Sequence, residues 1–343
     1  MKNPNVKALD ESNKALWDKF VLDCQQATFF HLAGWQQVIE RSFGHKTHYL
    51  YAETDGEIQG VLPLVHVKSR LFGNALSSTP FCVYGGIVSS TATAHLALEN
   101  AACELAEKLG VDHLEMRNTQ LTDNLWPTKD LYVTFRKSIE EDPETNLNNV
   151  PRKQRAMIRK GIKAGLSGEI DQGIDHAYAL YSESVRNLGT PVFSKKYFSV
   201  LKETFGDQCE VLLIKKDEKV ISAVMSFYFR NEVLPYYGGG SIEARAYKAN
   251  DFMYWELMRR AAERGINVFD FGRSKKNTGS YSFKKNWGFE PEPLYYQYKL
   301  VKAKAIPDIN PLNPKYKLFI NTWKRLPLPV SQLVGPMLAK NLG

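Results

Sequence analysis

The sequence predicts an α/β (α+β) chain of two tandem domains, each a mixed sheet with flanking helices, followed by a basic C-terminal helical tail. Three observations carry this prediction. The chain has 343 residues, more than one ordinary domain and enough for two. Its two halves repeat one another in order. The stretch from Val301 onward is proline-rich and basic and lacks the repeated pattern.

The repeat begins with Ser42-Phe43-Gly44 before HKTHYLYAETDGEIQGVLPL, matched by Thr204-Phe205-Gly206 before DQCEVLLIKKDEKVISAVMSF. Both read as strand, charged turn (near Asp55-Gly56 and Asp217-Glu218) and strand, the signal of a hairpin. Tyr84-Gly85-Gly86 then matches Tyr237-Gly238-Gly239. Helical segments come next, over residues 94–109 and 251–264; Phe252, Trp255, Leu257, Met258 and Ala262 lie largely on one face. Each helix stops at a glycine, Gly110 or Gly265, before a short strand, VDHLEM or INVFDF. Hairpin, strand, helix, strand is the layout of the acetyltransferase (GNAT-like) fold. The polar, acidic run Ser138 to Asn149 reads as a linker or an exposed loop. The expected division is therefore residues 1–140, a GNAT-like domain; residues 150–300, a second one bearing the active site; and residues 301–343, a tail packing on the first domain or on a membrane surface.

Hydrophobic residues make up 43% and charged residues 24%, as in an ordinary globular protein. Cys24, Cys82, Cys103 and Cys209 are too scattered for a disulfide framework or a zinc site, which implies a reducing compartment. The N-terminal segment has no apolar core of the signal-peptide kind, and no apolar run approaches the ~20 residues of a membrane span. The expected location is cytoplasmic, with peripheral contact at the inner face of the cell membrane. A net charge of +8 suits an anionic partner: a phosphate-bearing substrate, RNA or a membrane face. His45 and His48 have no third ligand nearby, so no metal site is expected. GxSxG, P-loop and dinucleotide fingerprints are absent.

The segment richest in chemistry is VFDFGRSKKNTGSYSFKKNWGF, residues 268–289, a strand ending at Gly272-Arg273 and then a polar loop. Asp270 either accepts a proton from an attacking amine, orients substrate, or pairs with Arg273 or a nearby lysine. Tyr236 and Tyr237 lead into Gly238-Gly239-Gly240, which permits close approach of backbone to a ligand or serves a tight turn. Asn250 or Asp251 stands where it would cap the next helix, whose N-terminus is also suited to an anion. The most basic stretch, from Pro151 to Lys163, holds Arg152, Lys153, Arg155, Arg159, Lys160 and Lys163 with no acid. It forms either a phosphate grip or a solvated helix face.

The stretches NVPRKQRAMIRKGIKAGL, YYGGGSIEARAYKANDFMYWELM and FDFGRSKKNTGSYSFKKNWGFEP resemble the Fem family of peptidyl and aminoacyl transferases, nearest the Fem-like proteins of exosortase and exopolysaccharide systems. The resemblance spans roughly residues 10–300. It implies that Lys284, after Phe283 in the Phe-Lys pair, sits by the reacting carbonyl, with Phe283, Tyr236, Tyr237, Asp270 and Arg273 framing the pocket. It places Arg186 where such enzymes hold a substrate phosphate. Gly34-Trp35 is succeeded by Gln36, Gln37, Val38 and Ile39, so the first-domain lysine of the family has no counterpart.

A fixed ammonium beside a forming alkoxide stabilises the transition state more than the ground state. The activity implied is formation of an amide on an amine of a cell-envelope or exopolysaccharide precursor, small, lipid-linked or nucleotide-linked. The donor is an aminoacyl-tRNA or an acyl-CoA, and no cofactor is tightly bound. Arg70-Leu71-Phe72-Gly73-Asn74-Ala75 matches the pyrophosphate motif of ordinary acetyltransferases, but the run ALSSTPFCVYGG from Ala75 to Gly86 reads as strand and loop, not helix. The competing readings are a conventional CoA-dependent N-acyltransferase and a non-catalytic RNA- or membrane-binding module of the same fold. In the tail, Tyr316, Phe319, Ile320 and Trp323 recur at helical spacing among Lys315, Lys317, Lys324 and Arg325, as on a membrane-surface helix or a docked one.

Overall fold

The computed structural model describes residues 3–69, 72–122, 124–307 and 314–342. The chain divides into two compact units: residues 1–132 with 293–309 and 340–343, and residues 133–292 with 310–339.

The first unit is built on β1 (Asn5–Ala8), β2 (Lys46–Thr54), β3 (Glu57–Ser69), β4 (Gly73–Ser78), β5 (Val88–Ser89), β6 (His113–Asn118) and β7 (Thr128–Lys129). The sheet order is β1-β2-β3-β4-β6, then the strand Tyr295–Leu300, then β7, with β5 on β3. The β2–β3 hairpin turns where expected: Asp55 and Gly56 take φ of 54° and 85°, as a two-residue primed turn requires. Helices α1 (Lys14–Asp23) and α2 (Gly34–Phe43) pack against β3 and β2. The long helix α3 (Ala92–Leu109) buries Ala94, Leu98, Ala102 and Ala106 against Leu62, Leu64, Leu76 and Leu114. Thr91 caps its start and Gly110, at φ 60°, ends it. The GNAT-motif match falls outside the described residues at Arg70 and Leu71, and Gly73-Asn74 opens β4, not a helix.

The second unit repeats the plan with β8 (Tyr132–Ser138), β9 (Leu166–Asp171), β10 (Cys209–Lys216), β11 (Lys219–Phe229), β12 (Glu232–Gly240), β13 (Val268–Asp270), β14 (Ser274–Lys275) and β15 (Pro291–Pro293). Its order is β14-β8-β13-β12-β11-β10-β9, with β15 on β8. Helices α4 (Pro143–Asn149) and α5 (Arg152–Lys163) pack on α9 (Ala249–Glu263), which with α10 (Gly279–Asn286) covers one face of the sheet. The other face is covered by α6 (Asp175–Leu188) and α7 (Lys195–Phe205). The four-residue α8 (Ala244–Tyr247) leads into α9.

Three expectations are corrected here. The domain boundary is not a single point: β8 pairs with β13 in the second sheet, whereas Tyr295–Leu300, hereafter β16, pairs with β6 in the first. The acidic stretch read as a linker contains α4, started by Asp142, whose carboxylate accepts from the Glu144 and Thr145 amides. The tail forms α11 (Pro314–Trp323) and α12 (Leu328–Ala339) and docks on the second unit, not the first. Ile320 lies against Gly189, Gly335 against Val192, and Arg186 donates to the Leu326 carbonyl at 2.9 Å. The side chains of Lys315 and Tyr316 lie outside the described residues.

Candidate functional site

In each unit two parallel strands meet only briefly and then part. In the second unit β12 pairs with β13 at Glu232↔Val268 and Val233↔Phe269, after which β12 runs on to Gly240 bound only to β11. The register between β11 and β12 shifts after Met225↔Tyr237, leaving Tyr236 as an extra, bulged residue before Ser226↔Pro235. Bulges of this kind re-aim side chains beside active sites.

The end of β13 is organised by Asp270. Its Oδ1 accepts the Gly272 N–H at 2.7 Å, and Gly272 takes φ 66°, a conformation glycine adopts without a Cβ clash. The chain reverses there. The segment read as a polar loop is the helix α10, with Thr278 capping the Tyr281 amide. That helix decides between the two adjacent lysines. Lys285 faces solvent; Lys284 turns inward and is only 9% exposed.

The Lys284 Nζ donates to the carbonyls of Gly272 at 2.9 Å and Arg273 at 3.0 Å, and lies 5.6 Å from the centre of the Phe135 ring. An ammonium has three hydrogens. Two are taken by these carbonyls, and no third acceptor is found among the described residues. Burial pushes the amine down to about 7; the Asp270 charge opposes this shift and Arg273 adds to it. Between about 7 and the unperturbed 10.5 the unfolded chain therefore holds more protons than the folded one, so stability at this position rises with pH. The Tm of the wild type is expected to climb relative to that of Lys284→Met from about pH 7 to about pH 9. A pH-independent difference would mean the amine is hydrated in solution.

The remaining expected residues divide. Asp270 is 1% exposed, with Arg136 Nε of β8 3.7 Å from its Oδ2, and its charge also acts on the nearby Lys284 amine. Phe283 is half-buried among Tyr254, Phe271 and Trp287 and packs against the core. Tyr237 is buried, its hydroxyl 2.8 Å from that of Tyr197 and its ring among Tyr181, Phe193 and Phe198; it belongs to the layer under α6 and α7. Tyr236 is half-buried against Phe227.

Gly239 answers to a helix rather than a ligand, since a Cβ there would meet the Leu180 carbonyl oxygen at 2.5 Å. Asn250 does not cap α9, which starts one residue earlier after Lys248; its Oδ1 accepts from Ser222 Oγ at 3.0 Å. Arg152 is exposed on α5, and Arg155 donates to Asn148, so both lie on the outward face of a helix that buries Gln154, Ile158 and Gly161. Arg186 is engaged by the tail through the Leu326 carbonyl. Of the expected set, the structure brings together Lys284, Asp270 and Arg273.

Phe135 and Arg136 were missed because chain order assigns β8 to the first domain. The alternating Tyr132–Ser138 run signals a strand but not its partner. Ser274, whose hydroxyl is buried without a partner among the described residues, carried no sequence signal.

The first unit treats the same position differently. Glu115, in the parallel pair with Ser77, is held by Arg117 Nε at 2.8 Å, while Arg117 Nη1 donates to the Cys82 carbonyl at 2.7 Å and stacks over Tyr296. The ion pair closes on itself. Beside it lies a cavity of about 580 Å³ lined by His31, Tyr84, Gly86, His95, Glu99 and Asn118 among others. Gln297 of β16 orders one wall through Asn118, Thr122 and Asn124.

Two units of this layout define a tandem GNAT-fold protein, and residues 152–285 match the acetyltransferase (GNAT) domain family. The architecture is that of FemX, whose crystal structure superposes with a TM-score of 0.67 at 16% identity, covering 92% of this chain and all (100%) of that one. The C-terminal domain of a putative lysylphosphatidylglycerol synthetase from Agrobacterium fabrum matches at 0.56 and 13% identity, over 84% of this chain and 91% of that one. A tandem GNAT protein from the clavulanic acid biosynthesis pathway matches at 0.53 and 12% identity, over 88% and 100%. No curated protein matches the sequence.

Proposed function

We propose that the chain transfers an acyl or aminoacyl group to an amine, forming an amide, with the second unit as the catalytic one. The observation that carries this reading is the buried Lys284 amine, fixed by two carbonyls with one hydrogen to spare. The acceptor amine attacks the carbonyl of an ester or thioester donor, and a C–N bond forms as the carbonyl oxygen becomes an alkoxide. The third N–H of Lys284 stabilises that oxygen; collapse breaks the C–O or C–S bond, and the proton of the attacking nitrogen leaves with the departing group. Asp270 is a positioning residue: it shapes the Gly272 turn and its charge favours the ammonium form. An aminoacyl-tRNA donor and an amine on an envelope or exopolysaccharide precursor fit this chemistry, supported by the Fem-like fold and by a similar solved structure named as the C-terminal domain of a putative lysylphosphatidylglycerol synthetase. Acyl-CoA is the second donor, favoured by the GNAT domain match.

Turnover is measured with aminoacyl-tRNA and acyl-CoA donors across pH. Because the ammonium form is needed, kcat/KM should fall as pH rises through about 7, and Asp270→Asn should move that fall to lower pH. Deprotonation of the acceptor amine adds a rise of its own, so the falling limb is read against the residual activity of Lys284→Met, which should lack it; the same limb in that variant would overturn the role of Lys284 as a cation. Isothermal titration with acetyl-CoA separates the two donors.

A further inference from the structure

The tail helix α12 is built inside out. Its small residues Ser331, Gly335 and Ala339 face the protein. A Cβ on Gly335 would lie 3.0 Å from both the nitrogen and the oxygen of Val192, so the helix backbone rests directly on the chain beneath. The large apolar residues point the other way: Val330, Leu333, Val334 and Met337, at i, i+3, i+4 and i+7, are 40%, 75%, 37% and 66% exposed. Helix α11 behaves similarly. Trp323 is buried and Ile320 lies on Gly189, while Leu318 and Phe319 are exposed. Both helices rest on the stretch from Gly189 to Val192. Lys317 and, just after α11, Lys324 and Arg325 are exposed, and the sequence holds no acidic residue beyond Asp308.

We propose that this face docks the protein in the plane of an anionic lipid surface. Contiguous apolar area edged by polar residues marks an interaction site. Twelve residues of α12 span about 18 Å, well short of the ~30 Å core of a bilayer, and no described helix is long and apolar enough to cross a membrane. The helices therefore lie on the surface rather than through it. A second copy of the chain is disfavoured by charge, since a two-fold contact would bring the same cations together. Anionic headgroups complement them, while acyl chains accept Leu333 and Met337 without needing directional partners. The placement is independent of the transfer chemistry.

The full chain is mixed with vesicles of phosphatidylcholine alone or with about one-third phosphatidylglycerol, and bound protein is measured by sedimentation. Binding should require the anionic lipid and weaken with salt. Leu333→Glu with Met337→Glu should abolish it; Lys324→Gln with Arg325→Gln should weaken it by roughly fivefold per cation. These positions are exposed, so unchanged far-ultraviolet circular dichroism and Tm confirm that the variants fold. Failure of the wild type to bind anionic vesicles, equal binding by the Leu333/Met337 variant, or a dimer that this variant dissociates would each overturn the proposal. Transfer assayed on soluble substrates should be unchanged in both variants.

Discussion

Lys284→Met is expected to cut transfer by about 10²–10³-fold while leaving a folded chain, the usual cost of removing one donor from a developing oxyanion. Met has an apolar stem of similar length and lacks only the amine that stands over Phe135. Two opposing terms set the change in stability. The carbonyls of Gly272 and Arg273 lose their donor, which is unfavourable, and a buried amine whose ionisation burial already opposes is removed, which is favourable. Activity and stability should therefore separate, as they do where a fold bears strain for function. Lys285→Met is the control: it is one residue away on the exposed face of α10 and should act like the wild type. Near-normal turnover by Lys284→Met with a competent donor and acceptor would remove the catalytic assignment and leave the fold untouched.

Gly239→Ala should produce the largest loss of stability of any single methyl added to this chain's glycine-rich strand. The new Cβ would stand 2.5 Å from the Leu180 oxygen and 2.7 Å from the Tyr181 Cα, both backbone atoms of α6. Neither can rotate away, so helix and strand must separate and the aromatic layer of Tyr181, Phe198 and Tyr237 must open. Overpacking of this kind costs about 1–3 kcal/mol and sometimes more; at the upper end the Tm falls by roughly 5–10 °C. Gly279→Ala tests the opposite case. Nothing lies within 4 Å of its added methyl, and alanine in the first turn of α10 should be neutral or slightly stabilising. A Gly239→Ala chain as stable as the wild type would show that α6 does not sit on β12 in solution.

These two substitutions also mark where sequence reading succeeds and fails. The hairpins were legible because their turns need residues tolerant of positive φ, and Asp55, Gly56 and Asp217 supply them. Helices α3 and α9 were legible from apolar periodicity and from the glycines at their ends, Gly110 at φ 60° and Gly265 at φ 78°. The glycines after Tyr237 were visible as a requirement for close approach, but what approaches was not. Gly239 serves Leu180, nearly sixty residues earlier in the chain.

Arg186 depends on a distant segment in the same way. Its Nη1 donates to the Leu326 carbonyl from far along the chain, while its Nε is buried without a partner among the described residues. The exchange of β8 and β16 between sheets was invisible, because strand alternation reports which face is buried and not which neighbour supplies the hydrogen bonds.

The duplicated α/β plan, its turns and helix ends, and a short list of residues able to bear charge are all legible in the linear chain, since each depends on local conformational preference and on the periodicity of burial. Which of two adjacent lysines is buried, that its amine meets two carbonyls beyond Asp270, and that the tail turns its large apolar side chains outward emerge on folding alone. Those outcomes are set by pairing between segments distant in the chain, and burial is a property of that pairing rather than of any residue alone.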